Sequence, residues 1–294
     1  MTFLGRSRFR DRLRSVGGES FPLDGITTPT MAISTARRLT SSYTGNLINV
    51  INAGGTPADI GYTGGGVLDT AALLAHTGTG GSDTGRIVRI NGQVGTLDAY
   101  QGTATNSPWI VQAGAINTIG TRPGCKPQTA TQGVNTVTIA TTTAANLHGA
   151  QGDFTYVLVS ITPTVATERD FYRNSGAGGG GVQLYASVFT DYVRYDVAEA
   201  VMQTANNSNT PGSSVRVYAG RRNGSTCEFW RNQEVTALGT ATNSTTMAAN
   251  PYSIFTGSTD RTYAEFYWWN SALSNAEFNA IRANCTTFYG ATYP

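Results

Sequence analysis

From residue 134 onward the chain repeats one pattern: a short run rich in Thr, Val, Tyr and Phe, then a cluster of Gly, Asn and Ser. The runs VNTVTIATTT, FTYVLVSITPTV, GGGGVQLYASVF, YVRYDVAEAVM, SVRVYAGRR, TCEFWRNQEV and AEFYWWNSAL follow one another as far as Leu273. β-Branched and aromatic side chains suit a pleated, half-buried surface. Gly and Asn supply the backbone angles of tight turns. Strands this short, separated at roughly regular spacing, predict two antiparallel sheets packed face to face. Charged residues make up only 13% of the chain, against roughly 25% in an average soluble domain. With 10% aromatics this low charge is not the signature of disorder. The expected fold is all-β, with a few short helices.

Charge and cysteine usage remove several function classes. A net charge of +2 is too small to draw nucleic acid over the whole surface. Lys126 is the only lysine; the other 19 basic residues are arginines. Cys125, Cys227 and Cys285 lie far apart, in no metal-ligand spacing, and read as buried small side chains, with one disulfide as the alternative. His148 has no Cys or second His near it, so neither a metal nor a cofactor is expected. No apolar run approaches the ~20 residues that span a bilayer, and no apolar stretch follows the N-terminal arginines as in a secretory signal.

The first residues are distinct. Arg6, Arg8, Arg10, Arg12 and Arg14 alternate with other residue types, so a strand would place all five on one face. Residues 1–30 are expected to be an extended basic arm and linker that anchors the chain to a partner, the competing reading being a solvated tail. Next, Ser34–Gly45 predicts a short helix, with Ser34 or Thr35 as its cap and Gly45 as its stop. Leu47–Ile51 predicts a strand. Asp69 predicts the first turn of a helix that ends near His76, and Asn91-Gly92 predicts a turn. Ser274 predicts the cap of a final helix that packs on the sandwich rim through Ala276, Phe278, Ile281, Cys285 and Phe288. Glu228 and Glu234, near Arg221, Arg222 and Arg231, read as surface ion pairs of small value.

Two stretches resemble known families. The run YAEFYWWNSALSNAEFNAI resembles the closing strand and helix of concanavalin-like, laminin-G-type jelly rolls. The pattern S-T-x-R-x-L-x-S-x-Y-T-G-x-L-x-x-V, from Ser34 to Val50, resembles the catalytic module of the α-L-arabinofuranosidase B family. Asp59-Ile60, a Gly-rich turn and the Ala-rich segment at 70–75 follow in the same order. Gln93, Gly95 and Gln101 sit where the family carries a YDQSG-like turn, although the Asp of that turn is missing here. The resemblance implies a concanavalin-like antiparallel jelly roll. The division expected is 1–30 arm, 31–124 arabinofuranosidase-like part and 125–294 sandwich with the C-terminal helix.

The resemblance also implies where catalysis would sit. A retaining glycosidase needs two carboxyl groups about 5 Å apart. The family's nucleophile is a Glu after an aromatic-Gly-Asn type turn. The equivalent place, Phe171–Gly176, holds no carboxylate after Asn174; Glu168 and Asp170 precede it, and using them needs a strand shift. The acid/base Asp corresponds to Asp260, at the end of Thr256-Gly257-Ser258-Thr259. Glu265 is a further candidate. Trp268 and Trp269 are candidates for a sugar-stacking platform, although adjacent strand residues face opposite ways, so at least one belongs in a core. Arabinofuranosidase-like chains are common among phage virion parts. With one carboxylate missing, the reading is a non-enzymatic structural or decoration protein of a tailed-phage virion. Its expected partners are capsid, neck or tail proteins through residues 1–30, further copies of itself, and a host surface glycan. The alternatives are an arabinofuranosidase-like glycoside hydrolase and a carbohydrate-binding adhesion module.

Overall fold

The computed structural model describes residues 20–127, 134–138, 147, 152–161, 168–173, 181–186, 191–196, 200–203, 214–242, 252–255 and 261–291. In chain order the strands are β1 (Met31–Ser34), β2 (Ile48–Asn52), β3 (Pro57–Ile60), β4 (Gly85–Ile90), β5 (Val94–Gly95), β6 (Leu97–Tyr100), β7 (Trp109–Gln112), β8 (Ala115–Ile116), β9 (Thr118–Ile119), β10 (Arg122–Pro123) and β11 (Val134–Thr138). They continue as β12 (Phe154–Ile161), β13 (Glu168–Arg173), β14 (Gly181–Ala186), β15 (Asp191–Asp196), β16 (Ala200–Gln203), β17 (Val215–Asn223), β18 (Thr226–Arg231), β19 (Gly239–Thr242), β20 (Tyr252–Ile254) and β21 (Tyr263–Trp269). The helices are α1 (Thr70–Thr77) and α2 (Asn275–Tyr289), and no helix among the described residues is long and apolar enough to cross a membrane.

The strands form two large antiparallel sheets, as the repeating turn-and-strand pattern predicts. The smaller runs β19-β18-β17-β12-β21-β1-β5; the larger runs β16-β15-β14-β13-β20-β11-β6-β4-β2-β3, with β7 and β8 attached at β4. One core fills the space between them. From the smaller sheet come Met31, Ile33, Phe154, Tyr156, Leu158, Phe266 and Trp268; from the larger come Ile48, Val50, Ile87, Ile90, Ala99, Val134 and Ile254. The boundary drawn at residue 124 is not a division of the fold. β1 and β5 complete the smaller sheet, and β2, β3, β4 and β6 continue the larger one beyond β11. Strands before and after that point share one core.

The smaller sheet is buried on its other face as well. Val157, Val159, Val217, Ala219, Tyr267 and Trp269 pack there against Phe278, Ile281, Cys285 and Tyr289 of α2. This explains why FTYVLVS and YAEFYWW read as continuous apolar runs: a strand covered on both sides has no solvent face to alternate with. α2 therefore lies across a sheet face, not on the rim, and Ala276 is exposed while Phe278, Ile281 and Cys285 are buried. Its start follows the capping rule. Ser274 Oγ accepts from Glu277 N, and the Glu277 carboxylate accepts from Ser274 N, closing a capping box. Gly290, at φ +63°, ends it in the left-handed region.

The helix predicted at Ser34–Gly45 does not form. β1 ends at Ser34 and the chain bends instead. Ser34 Oγ accepts from the amides of Ala36 and Arg37, as a cap does, but no helical turn follows. So short a helix has little beyond its costly first turn. Here the side chains have better partners: Arg37 reaches Glu265 on β21, and Leu39 is buried beside Leu23. The predicted α1 does form, with Asp69 Oδ1 accepting from Ala72 N and His76 Nε2 3.2 Å from Val50 O. The supposed surface pairs are half-buried to buried. Arg221 binds Glu228 at 2.7 Å and also donates to Leu273 O and Asn275, tying β17 to the start of α2. Arg231 and Glu234 are 3.4 Å apart. All three cysteines are buried and free.

Candidate functional site

The outer face of the larger sheet carries a polar row that strand alternation creates. In β2, Ile48 and Val50 point into the core, so Asn49 points out. The register then pairs Asp59 of β3 with Asn49, Asn49 with Arg89 of β4, and Arg89 with Tyr100 of β6. Carboxylate, carboxamide, guanidinium and phenol thus lie side by side across four strands. A bulge in β4, where Asn49 faces Arg89 but Val50 faces Ile87, leaves Val88 as the extra residue and sharpens the local twist. The row lines a groove of about 590 Å³ together with Asn91 and Gln101.

The groove residues are held by short contacts. Asn49 Nδ2 donates to Asp59 Oδ1 at 2.8 Å. The Arg89 guanidinium lies 5.4 Å from the Tyr100 ring centre and 3.5 Å from Asp98 Oδ2. Asp98 also accepts from Gly92 N at 2.6 Å. A side chain at Gly92 would meet the Leu97 carbonyl 2.0 Å away, so this turn requires glycine. Burial raises the Asp98 pKa above the ordinary carboxylate value, with Gly92 and Arg89 offsetting part of the rise. Behind them Tyr43 donates to Asn46 O, which also accepts from Asn91 Nδ2 at 2.8 Å. Burial, then the charges of Asp98, Tyr62 and Asp59, push the Tyr43 phenol to about 12. Donors, acceptors and one aromatic face alternate within a shallow groove, which suits a polyhydroxylated ligand.

In the same sheet, β13 and β20 are the described strands that precede in sequence the segments to which the resemblance assigns catalysis. β13 and β20 are neighbours, pairing Phe171 with Ile254, Tyr172 with Ser253 and Arg173 with Tyr252. On its other side β13 meets β14 with a register shift: Arg169 faces Tyr185 and Phe171 faces Leu184, so Asp170 is the bulged residue. Phe255, the residue after β20, has φ +52°, is buried, and stacks on Tyr263 at 5.3 Å. A positive φ at a bulky residue costs of order 1–3 kcal/mol, and such strain clusters at functional sites. Asp260 follows five residues later and lies outside the described residues, as do Asn174–Gly176 and the five arginines Arg6, Arg8, Arg10, Arg12 and Arg14.

The other predicted site residues are placed elsewhere. Trp268 and Trp269 are 0% and 1% exposed, Trp268 in the inter-sheet core and Trp269 under α2. Neither offers a ring to a sugar, because both faces of β21 are covered. Trp268 Nε1 donates to Asn270, and Trp269 Nε1 to Thr27 O. Glu265 is fully buried in an ion pair with Arg37. Gln93 is buried too; its amide bridges Leu39 N and Arg37 O. Gln101, by contrast, lines the groove. The row Asp59–Asn49–Arg89–Tyr100 was not singled out from sequence. The isolated Asn between Ile48 and Val50 is the signal that marks its outward face.

No family model and no curated protein matches the chain. Solved structures do. A GH54 α-L-arabinofuranosidase soaked with a cyclic sulfate inhibitor is similar at 17% identity and a TM-score of 0.60, over 90% of this chain and 64% of that one. An arabinofuranosidase complexed with arabinofuranosyl-α-1,2-xylobiose is similar at 16% identity and a TM-score of 0.60, over 90% of this chain and 63% of that one. The chain thus spans less than two thirds of the length of these proteins. At such identities the likeness shows the fold: an antiparallel, concanavalin-like β-sandwich. It also corrects the expectation that the chain is not an enzyme. That expectation rests on one carboxylate missing from a loop alignment, whereas 90% of the chain is similar in fold to arabinofuranosidases.

Proposed function

We propose that the protein is a glycoside hydrolase that removes α-L-arabinofuranosyl groups from a glycan, with Asp170 and Asp260 as the catalytic carboxylates and the polar groove as the seat of the adjoining sugars. The observation that carries this reading is the fold likeness to arabinofuranosidases over 90% of the chain. Two features support it. The bulge at Asp170 lies on the strand next to β20, which leads through the strained Phe255 toward Asp260. The groove lies on the same sheet, with only β11 between β20 and β6, so about 10 Å separates those two strands at the usual spacing. In the retaining route one carboxylate attacks the anomeric carbon while the other protonates the departing glycosidic oxygen. The second group, now a base, then activates the water that releases the sugar. A place on a virion, held there by residues 1–30, is proposed as the setting; it rests on the alternating arginines and is checked by whether deleting 1–30 removes the chain from particles.

The test is turnover of an aryl α-L-arabinofuranoside by the full chain. Asp170→Asn and Asp260→Asn should each lower kcat by about 10³-fold or more, as loss of a catalytic group does. Mass spectrometry of the quenched reaction should find a pentosyl adduct on the peptide holding Asp170. No turnover above background, or full activity in Asp170→Asn, overturns the assignment.

A further inference from the structure

A second cavity lies between the bend after β1 and the end of α2. Its volume is about 280 Å³, and Arg37, Arg38, Arg122, Phe21, Asn284 and Phe288 line it. We propose that it binds an oxyanion, a carboxylate or phosphoryl group carried by a small molecule or a glycan.

The charge around the cavity is one-sided. Of the three guanidinium groups, Arg37 is neutralised by Glu265 behind it. Arg38 and Arg122 form no ion pair with a carboxylate among the described residues. Asp24, in the loop before β1, accepts from Thr40 Oγ1 and Ser41 N and is not part of the lining. Among the described residues the cavity therefore carries two guanidinium charges, those of Arg38 and Arg122, with no carboxylate partner. Arg37 and Arg122 lie 3.9 and 4.1 Å from the centre of the same Phe288 ring, which holds both side chains at the cavity wall.

The arginines are also held ready. Arg38 stacks on Phe21 at 4.5 Å and on Tyr62 at 4.8 Å. Its Nη2 donates to Ser41 O at 2.8 Å, while its buried Nε has no partner. A guanidinium flattened between rings has paid its ordering cost before a ligand arrives, and its planar fork matches two oxygens of a carboxylate or phosphate. The structural alternative is that Arg122 merely caps α2, since its Nε donates to Phe288 O at 3.3 Å. That bond uses one of five donors. It accounts neither for Arg38 nor for the open space between them.

The test uses the full chain and direct binding calorimetry at low ionic strength, with glucuronate and inorganic phosphate as probes and glucose as the neutral control. One saturable site is expected for at least one anion, weakened by added salt, with no binding of glucose. Arg122→Gln and Arg38→Gln should each weaken it about tenfold or more. Arg38→Lys, which keeps the charge but loses the fork, should fall between. Binding of glucuronate alone supports a carboxylate site; binding of phosphate alone supports a phosphoryl site. No saturable binding of either anion, or undiminished binding in Arg122→Gln and in the Arg38→Gln, Arg122→Gln double variant, overturns the proposal. Because binding is read without turnover, the result is independent of the hydrolase assignment.

Discussion

Arg37 and Glu265 are 228 residues apart in sequence and form a two-point ion pair, Nε to Oε1 at 2.7 Å and Nη2 to Oε2 at 3.1 Å, with both side chains buried. Tyr267 adds a hydrogen bond at 2.6 Å and Ser34 another at 3.2 Å. The pair joins the bend after β1 to β21 beneath α2. Glu265 shares the helix-side face of β21 with Tyr267 and Trp269 by strand alternation; the bulge at Ala264, where Val159 faces Glu265 but Ser160 faces Tyr263, returns Tyr263 to the inter-sheet core. Burial alone would raise the Glu265 pKa; Arg37 and the tyrosine hydroxyls overcome this and hold it below the ordinary value.

Removing one partner leaves a buried, uncompensated charge. Arg37→Met or Glu265→Leu should each cost about 3–5 kcal/mol in urea unfolding. The double variant Arg37→Met, Glu265→Leu should regain most of that loss, because two apolar groups need no partner. Equal loss in the double and the singles would contradict this account.

Trp268 should matter to stability and not to sugar binding. Its ring packs on Phe154 at 5.2 Å and Tyr252 at 5.4 Å. Truncation to Ala should cost about 3–5 kcal/mol through the cavity left behind. Trp268→Phe should leave KM on an oligosaccharide unchanged while lowering the thermal midpoint. A raised KM with unchanged stability would restore it as a ligand contact.

Glu277 should contribute to acid sensitivity. Hydrogen bonds from Ser274 and then Thr27 hold its pKa at about 2. A carboxylate whose folded pKa is depressed stabilises the fold fully above its unfolded value, near 4.3. That contribution fades as pH falls through about 2. Glu277→Gln should lower stability at neutral pH, where the contribution is fully present, and flatten the pH dependence of stability between these limits. Ser274→Ala, which removes the cap, should cost about 1 kcal/mol at pH 7.

The groove should act on binding more than on chemistry. Tyr100→Ala and Arg89→Gln should raise KM for a branched oligosaccharide with kcat nearly unchanged, the mark of contacts made equally in ground and transition states. A fall in kcat with unchanged KM would place these residues in the catalytic step instead. An aryl arabinofuranoside, which does not extend into the groove, should be hydrolysed as by the unmodified chain.

Much of the architecture is written locally. FTYVLVS, VRVYAGRR and YAEFYWW declare strands because their side chains suit no other element. Gly224, at φ +59° in the two-residue loop from Asn223 to Thr226, marks a hairpin. Ser274 and Glu277 declare the start of α2, since a capping box needs only residues three apart. What sequence could not tell is which faces meet. Ser34–Gly45 has a cap, helix formers and a stop, yet Arg37 is drawn to Glu265 and the helix is lost. Trp268 and Trp269 read as a sugar platform until α2 and the larger sheet cover both faces of β21. Asp59, Asn49, Arg89 and Tyr100 become neighbours only through strand register, and Asp170 becomes a bulged residue only through its pairing with β14. Strand, turn and cap preferences depend on a few adjacent residues, so the sequence by itself determined the elements. Burial, register and charge pairing depend on partners up to hundreds of residues away, so only the tertiary structure decided the sites.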